Sequence, residues 1–157
     1  MKHYPEFAGV ISRDEIKKIL PKVEHGKKIG WIMNLDPASQ RGSHWVSVFI
    51  DPVNGKEINY FDSFGREIPT DILRDLKIVV DMLKPNGLLE IKSNHVVHQD
   101  DGTNNCGWFA MRFLIDRFRG KSFAEASGYE NAMKFDRSEQ YEKQIEKLKN
   151  VAPFSYL

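Results

Sequence analysis

Asn105-Cys106-Gly107-Trp108-Phe109-Ala110-Met111-Arg112-Phe113-Leu114-Ile115-Asp116-Arg117-Phe118-Arg119 is the stretch on which the fold turns. Trp108, Phe109, Ala110, Met111, Phe113, Leu114, Ile115 and Phe118 recur at helical spacing and leave only a stripe at Arg112, Asp116 and Arg119 for solvent. A helix apolar on that many sides has to be buried, so the pattern predicts a central helix from Gly107 to Arg119, stopped by Gly120. The polar run Gln99-Asp100-Asp101-Gly102-Thr103-Asn104-Asn105 before it is a loop that delivers Cys106 to the helix N-terminus. Unpaired amides and the helix dipole favour a thiolate there.

Working outward, Ile29 to Leu35, Trp45 to Ile50 and Glu57 to Phe61 are β-rich runs ended by Asp36-Pro37, by Asp51-Pro52 and by Asp62. Val53-Asn54-Gly55-Lys56 is a hairpin turn, so the three runs predict an antiparallel meander in which His44 opposes about position 65. A short helix starts the fold at the capping-box pattern Ser12-Arg13-Asp14-Glu15, with Ile16, Ile19 and Leu20 inward before Pro21. A second helix begins near Thr70, with Ile72, Leu73, Leu76, Val79, Val80 and Leu83 on one face, and Pro85-Asn86-Gly87 ends it. Leu88 to His98 has strand character interrupted at Ser93-Asn94. Ser138 to Asn150 reads as a last surface helix with Tyr141, Ile145 and Leu148 inward and a Glu139–Lys143 pair outward. The predicted class is α+β: one compact domain over residues 1–157, a mixed or antiparallel sheet packed on the central helix, and a C-terminal helical appendage at 138–157.

Length and charge narrow the function. A chain of 157 residues with 23 Lys+Arg against 22 Asp+Glu has a formal charge of +1, which offers no global field for a polyanion. Strong nucleic-acid binding is not expected. No apolar run approaches the roughly 20 residues that cross a bilayer, and Met1-Lys2-His3-Tyr4-Pro5-Glu6 lacks a signal-peptide core, so neither membrane nor secretion is expected. The single cysteine, Cys106, is either an inert core residue or a reagent.

A cysteine nucleophile needs a base within hydrogen-bond reach, and His44 stands at the mouth of a strand after Ser39-Gln40-Arg41-Gly42-Ser43. The imidazole in turn needs an acceptor that fixes its tautomer, and Asp62 closes the neighbouring strand. Gln99 lies seven residues before Cys106, close enough for its side-chain amide to join the Cys106 N–H as an oxyanion donor. The ordered set His44, Asp62, Gln99 and Cys106 is far more specific than any member.

That order resembles the catalytic set of the adenovirus-protease (adenain) and SUMO-protease clan of cysteine peptidases. Gly9-Val10-Ile11-Ser12-Arg13-Asp14-Glu15, Gly42-Ser43-His44-Trp45-Val46, Tyr60-Phe61-Asp62-Ser63-Phe64-Gly65 and Asn105-Cys106-Gly107-Trp108-Phe109 are similar to the adenain-type proteases of virophages and Polinton-like elements, over roughly residues 7–118. The resemblance implies that His44 is the base, Asp62 its orienting acid, Cys106 the nucleophile and Gln99 an oxyanion donor. It further implies that Trp45, Asn34, Asp36 and Gly107 border the substrate cleft, with small residues such as glycine next to the scissile bond. The implied role is a monomeric endopeptidase that cleaves capsid or other viral precursor proteins during virion maturation, in the host cytoplasm, viral factory and virion. It needs no cofactor and no metal. Adenain carries a glutamate where this chain has Asp62, and it is activated by a disulfide-linked peptide and by DNA. Cys106 as sole thiol and a charge of +1 speak against both activators here.

Four other readings are weighed against it. A ubiquitin-like-modifier isopeptidase, or an acetyltransferase working through an acyl-enzyme, would use the same triad, and a binding module would have kept the fold without the activity. A metal site from His95, His98, Asp100, Asp101 and Cys106 is disfavoured, because residues three apart on a strand face opposite sides.

Overall fold

Chain order is also sheet order. The computed structural model describes residues 4–23, 27–35, 44–52, 57–83, 90–94 and 105–127, together with Glu142, Lys143, Ile145, Glu146 and Lys149. Strands β1 (Phe7–Ser12), β2 (Ile29–Asn34), β3 (Trp45–Asp51), β4 (Glu57–Phe61) and β5 (Glu90–Ser93) form one five-stranded mixed sheet in that order. The β2–β3–β4 meander is antiparallel as expected, whereas β1 joins β2 and β5 joins β4 in parallel. A parallel neighbour requires a long crossover. Helix α1 (Thr70–Leu83) lies between β4 and β5 in the chain, and two 3-10 turns, Arg13–Lys18 and Leu20–Lys22, lie between β1 and β2.

The predicted opening helix is therefore preceded by a strand, and it is a 3-10 turn. Its N-terminal signal is nonetheless real, since the Ser12 N–H donates to Glu15 Oε1 at 3.0 Å. Strand β1 escapes a sequence reading because its burial pattern shows no alternation, and its pairing depends on where the crossover returns the chain.

Every residue of β2 and β4 is buried, because both faces of the sheet are covered. On one face Trp31, Met33, Val48, Ile58 and Tyr60 meet Ile16 and Ile19 and the inward side of α1, Ile72, Leu76 and Val79. On the other, Ile32, Phe49 and Phe61 meet helix α2 (Cys106–Phe118) through Phe109, Ala110, Phe113 and Leu114, with Phe123 and Ala126 of helix α3 (Phe123–Ser127) and Ile145 completing the cluster. Phe61 and Phe113 stack at 4.6 Å. Helix and sheet come close at Gly30, where an added Cβ would stand 2.9 Å from Leu114 and 3.0 Å from Phe118. Ile145 is inward as expected, while Tyr141, Leu148 and Glu139 lie outside the described residues. Among the described residues no helix is long and apolar enough to cross a membrane.

The solvent stripe expected on α2 is narrower than its charges suggest. Asp116 is buried, held between Arg112 at 3.8 Å and Lys121 at 3.4 Å as the chain turns back toward α3. Arg117 is buried as well. Its guanidinium meets Glu57 Oε1 at 3.1 Å and Asn59 Oδ1 at 2.9 Å and lies 4.4 Å from the centre of the Phe49 ring. Glu57 also takes Lys92 at 2.7 Å. Arg117→Ala leaves Glu57 with Lys92 and removes the donor to Asn59 Oδ1, so it is expected to cost about 1–3 kcal/mol in urea denaturation. Arg119→Ala, at the exposed C-cap just past α2, should cost under about 1 kcal/mol.

Candidate active site

Two strand registers bring the histidine to the aspartate. Strands β2 and β3 pair from Ile29 with Ile50 to Asn34 with Trp45, and the Leu35 N–H donates to the His44 carbonyl at 2.9 Å, extending the ladder by one residue. Strands β3 and β4 pair from Asp51 with Glu57 to Ser47 with Phe61. The pairing stops at Phe61, where the Gly65 N–H donates to the Asp62 carbonyl at 2.8 Å and turns the chain. It runs one residue off the register that the turn composition predicts, and His44 and Asp62 come together at the strand ends, as that register also allows. The His44 ring stacks on Phe64 at 4.9 Å, and His44 Nε2 lies 2.8 Å from Asp62 Oδ1. Both residues are buried.

Asp62 is held from behind by a residue that the sequence reading passed over. Asn94, fully buried just past β5, accepts the Asp62 N–H on Oδ1 at 2.8 Å and donates from Nδ2 to the Asp62 carbonyl at 2.7 Å. The Phe64 N–H donates to Asp62 Oδ1 at 2.8 Å, so this one oxygen serves both the backbone and the imidazole. In the sequence Ser93-Asn94 reads as an interruption of strand character, and nothing local distinguishes a loop asparagine from one that clamps a distant strand end.

Cys106 is the first residue of α2 and is buried. Its thiol faces the His44 ring and lies at the start of the helix beside Trp45 and Gly107, close enough for their groups to act on its charge. Since Asp62 occupies Nε2, the nitrogen left for the thiol is Nδ1. Burial alone would raise the thiol pKa, but His44 and the backbone amides of Trp45 and Gly107, with the imidazolium charge, bring it below the ordinary value. For His44 the balance is similar. Burial lowers it, while the bond to Asp62 and the influence of Cys106 outweigh that and hold it up at about 9. Both directions describe one state, a thiolate beside an imidazolium backed by a carboxylate.

Trp45 borders the first turn of α2, with its Cδ1 4.0 Å from where a Cβ on Gly107 would stand. Asn34 is buried at the end of β2 opposite Trp45. Gln99 and Asp36 lie outside the described residues, as do His95, His98, Asp100 and Asp101. Among the described residues no group of three His, Cys, Asp or Glu side chains could hold a metal.

No family model matches the chain. A thiol protease of Acanthamoeba polyphaga mimivirus is 35% identical over 97 residues, which are 60% of this chain and 32% of that protein. The SUMO-1 cysteine protease of African swine fever virus is 27% identical over 99 residues, 60% of this chain and 36% of that protein. A crystal structure of the African swine fever virus protease matches with a TM-score of 0.54 at 26% identity, covering 64% of this chain and 38% of that one. The SUMO protease Ulp1 matches in fold with a TM-score of 0.51 at 19% identity, covering 80% of this chain and 65% of that one. The chain thus spans about a third of the length of the curated relatives it matches. It is a homologue of viral thiol and SUMO-1 cysteine proteases, and it has the fold that the African swine fever virus enzyme shares with Ulp1.

Proposed function

We propose that the protein is a cysteine endopeptidase that processes viral precursor proteins, capsid precursors among them, during virion maturation. The observation that carries the reading is the buried His44 ring held by Asp62 at 2.8 Å and coupled in charge to the Cys106 thiol at the start of a buried helix. The Cys106 thiolate attacks the scissile carbonyl carbon, and the carbonyl electrons move onto oxygen. The Cys106 N–H and the Gln99 side-chain amide bind that oxyanion, a role worth about 2.7–4 kcal/mol per donor. His44 then gives its proton to the leaving nitrogen as the C–N bond breaks. Water, deprotonated by His44, releases the thioester as a carboxylic acid and restores the thiol. Trp45, Gly107, Asn34 and Asp36 border the cleft in this reading, and the bulk of Trp45 favours glycine beside the scissile bond.

A modifier isopeptidase is the second reading, favoured by the African swine fever virus relative's name as a SUMO-1 protease. Incubation of the protein with a viral capsid precursor and, in parallel, with a SUMO fusion separates the two. Cleavage of the precursor is expected, and cleavage of the SUMO fusion alone would favour the isopeptidase.

Cys106→Ala should abolish cleavage. Asp62→Asn should lower kcat about 10²–10⁴-fold through loss of the correct tautomer and orientation, and Gln99→Ala about 10²–10³-fold with little change in KM. The ion pair exists only where Cys106 has lost its proton and His44 has kept one. Peptide cleavage should therefore fall on the alkaline side near pH 9, as His44 deprotonates, and on the acid side only below the lowered thiol pKa. A pH profile of kcat/KM reads both limbs.

A further inference from the structure

Asp62 alone does not fix the direction in which the His44 ring faces. The imidazole turns about its Cβ–Cγ bond, a torsion with broad and shallow preferences. Nε2 lies almost on that axis, at the far end of the ring, whereas Nδ1 lies well to one side of it. The 2.8 Å bond between Nε2 and Asp62 Oδ1 therefore survives a rotation that would swing Nδ1 away from Cys106. A contact on the flat face of the ring is what resists such a rotation. Phe64 supplies one: its half-buried ring stacks on the imidazole with centroids 4.9 Å apart and planes 28° from parallel. The chain reaches this position through a tight turn, in which the Gly65 N–H donates to the Asp62 carbonyl at 2.8 Å and Gly65 takes a φ of 68°, which glycine adopts without strain. Inside the turn the Phe64 N–H donates to Asp62 Oδ1 at 2.8 Å, the same oxygen that holds Nε2. Aromatic ring and carboxylate thus belong to one turn, and the Arg66 guanidinium, 4.8 Å over the Phe64 ring, packs that ring further.

We propose that Phe64 is a positioning residue whose ring fixes the rotation of the His44 imidazole and so aims Nδ1 at Cys106. Asp62 then selects the tautomer, and Phe64 selects the angle. The proposal rests on the reading of Cys106 as nucleophile and His44 as base. Mere apolar cover for the buried Asp62–His44 pair would need bulk but no flat face. Leucine supplies the bulk and lacks the face, whereas tyrosine keeps both, so the two substitutions separate cover from positioning. The titratable and charged groups that the described structure sets around the imidazole are Asp62 at the end of β4, Cys106 at the start of α2 and, over the Phe64 ring, Arg66. Phe64 carries no charge, so replacing it leaves each of them in the chain.

The test is the rate at which iodoacetamide alkylates Cys106 in the full chain, read by intact mass against pH. The parent is compared with Phe64→Leu, Phe64→Tyr, His44→Ala and the double variant His44→Ala/Phe64→Leu. Near neutral pH, Phe64→Leu should alkylate about tenfold more slowly than the parent, and Phe64→Tyr should recover most of the parent rate. In the His44→Ala background Phe64→Leu should change nothing, because a residue that acts through the imidazole has no effect once the imidazole is gone. A Phe64→Leu protein as fast as the parent overturns the proposal. So does a Phe64→Tyr protein as slow as Phe64→Leu, since the flat face would then be irrelevant. Equal slowing with and without His44 overturns it too, because the loss would come from loosened packing around the thiol. Circular dichroism verifies folding, and if Phe64→Leu does not fold, Phe64→Met makes the same comparison. A parent thiol that reacts only above about pH 8 contradicts the ion pair itself and overturns both readings. A reactive parent beside an unmoved Phe64→Leu overturns only this one.

Discussion

The placement of every group in the site follows from laying a nearly all-apolar helix across a sheet that is itself buried on both faces. The helix over Cys106–Phe118 has no other stable location, since Phe109, Ala110, Phe113 and Leu114 together carry far more apolar surface than one exposed helix can leave in water. Gly30 lets it approach β2 to within contact of Leu114 and Phe118, and the stack of Phe113 on Phe61 fixes it over β4. With the helix axis set, its first residue has no freedom left. Cys106 arrives beside Trp45 and His44 because that is where the sheet ends.

Two more constraints convert that placement into chemistry. The β3–β4 pairing brings together the strand ends that carry His44 and Asp62, and Asn94 clamps the backbone of Asp62 from behind. A rigid acceptor behind a histidine does more than supply charge. It assigns Nε2 to the acid and leaves Nδ1 to the thiol, and it offsets the burial that would otherwise keep the imidazole neutral. Burial opposes the charged form of both partners, so the ion pair exists only because each supplies the other's missing charge.

Much of this was legible in the sequence, for local reasons. The three β-rich runs, the capping pattern at Ser12 to Glu15, the α1 face at Ile72, Leu76 and Val79, and the apolar length of α2 are properties of short segments. What stayed hidden depends on partners far away in the chain. Strand β1 is defined by a parallel neighbour some twenty residues on, and the register differed by one because the turn composition locates a hairpin without fixing the residue pairs flanking it. Arg117, Glu57 and Asn94 were hidden because a charged or amide residue reads as solvent-facing until its partner is known. Of the expected catalytic set, His44, Asp62 and Cys106 converge, while Gln99 lies outside the described residues.

The central claim is that thiolate and imidazolium coexist in the folded chain with no activator present. A nuclear magnetic resonance titration of the His44 ring protons, in the parent and in Cys106→Ser, tests it most directly. The account predicts a His44 midpoint of about 9 in the parent and a lower one in Cys106→Ser, where the negative partner is lost. A midpoint near the ordinary 6.5 in the parent, unchanged in Cys106→Ser, would mean a neutral ring beside an unactivated thiol and would contradict it.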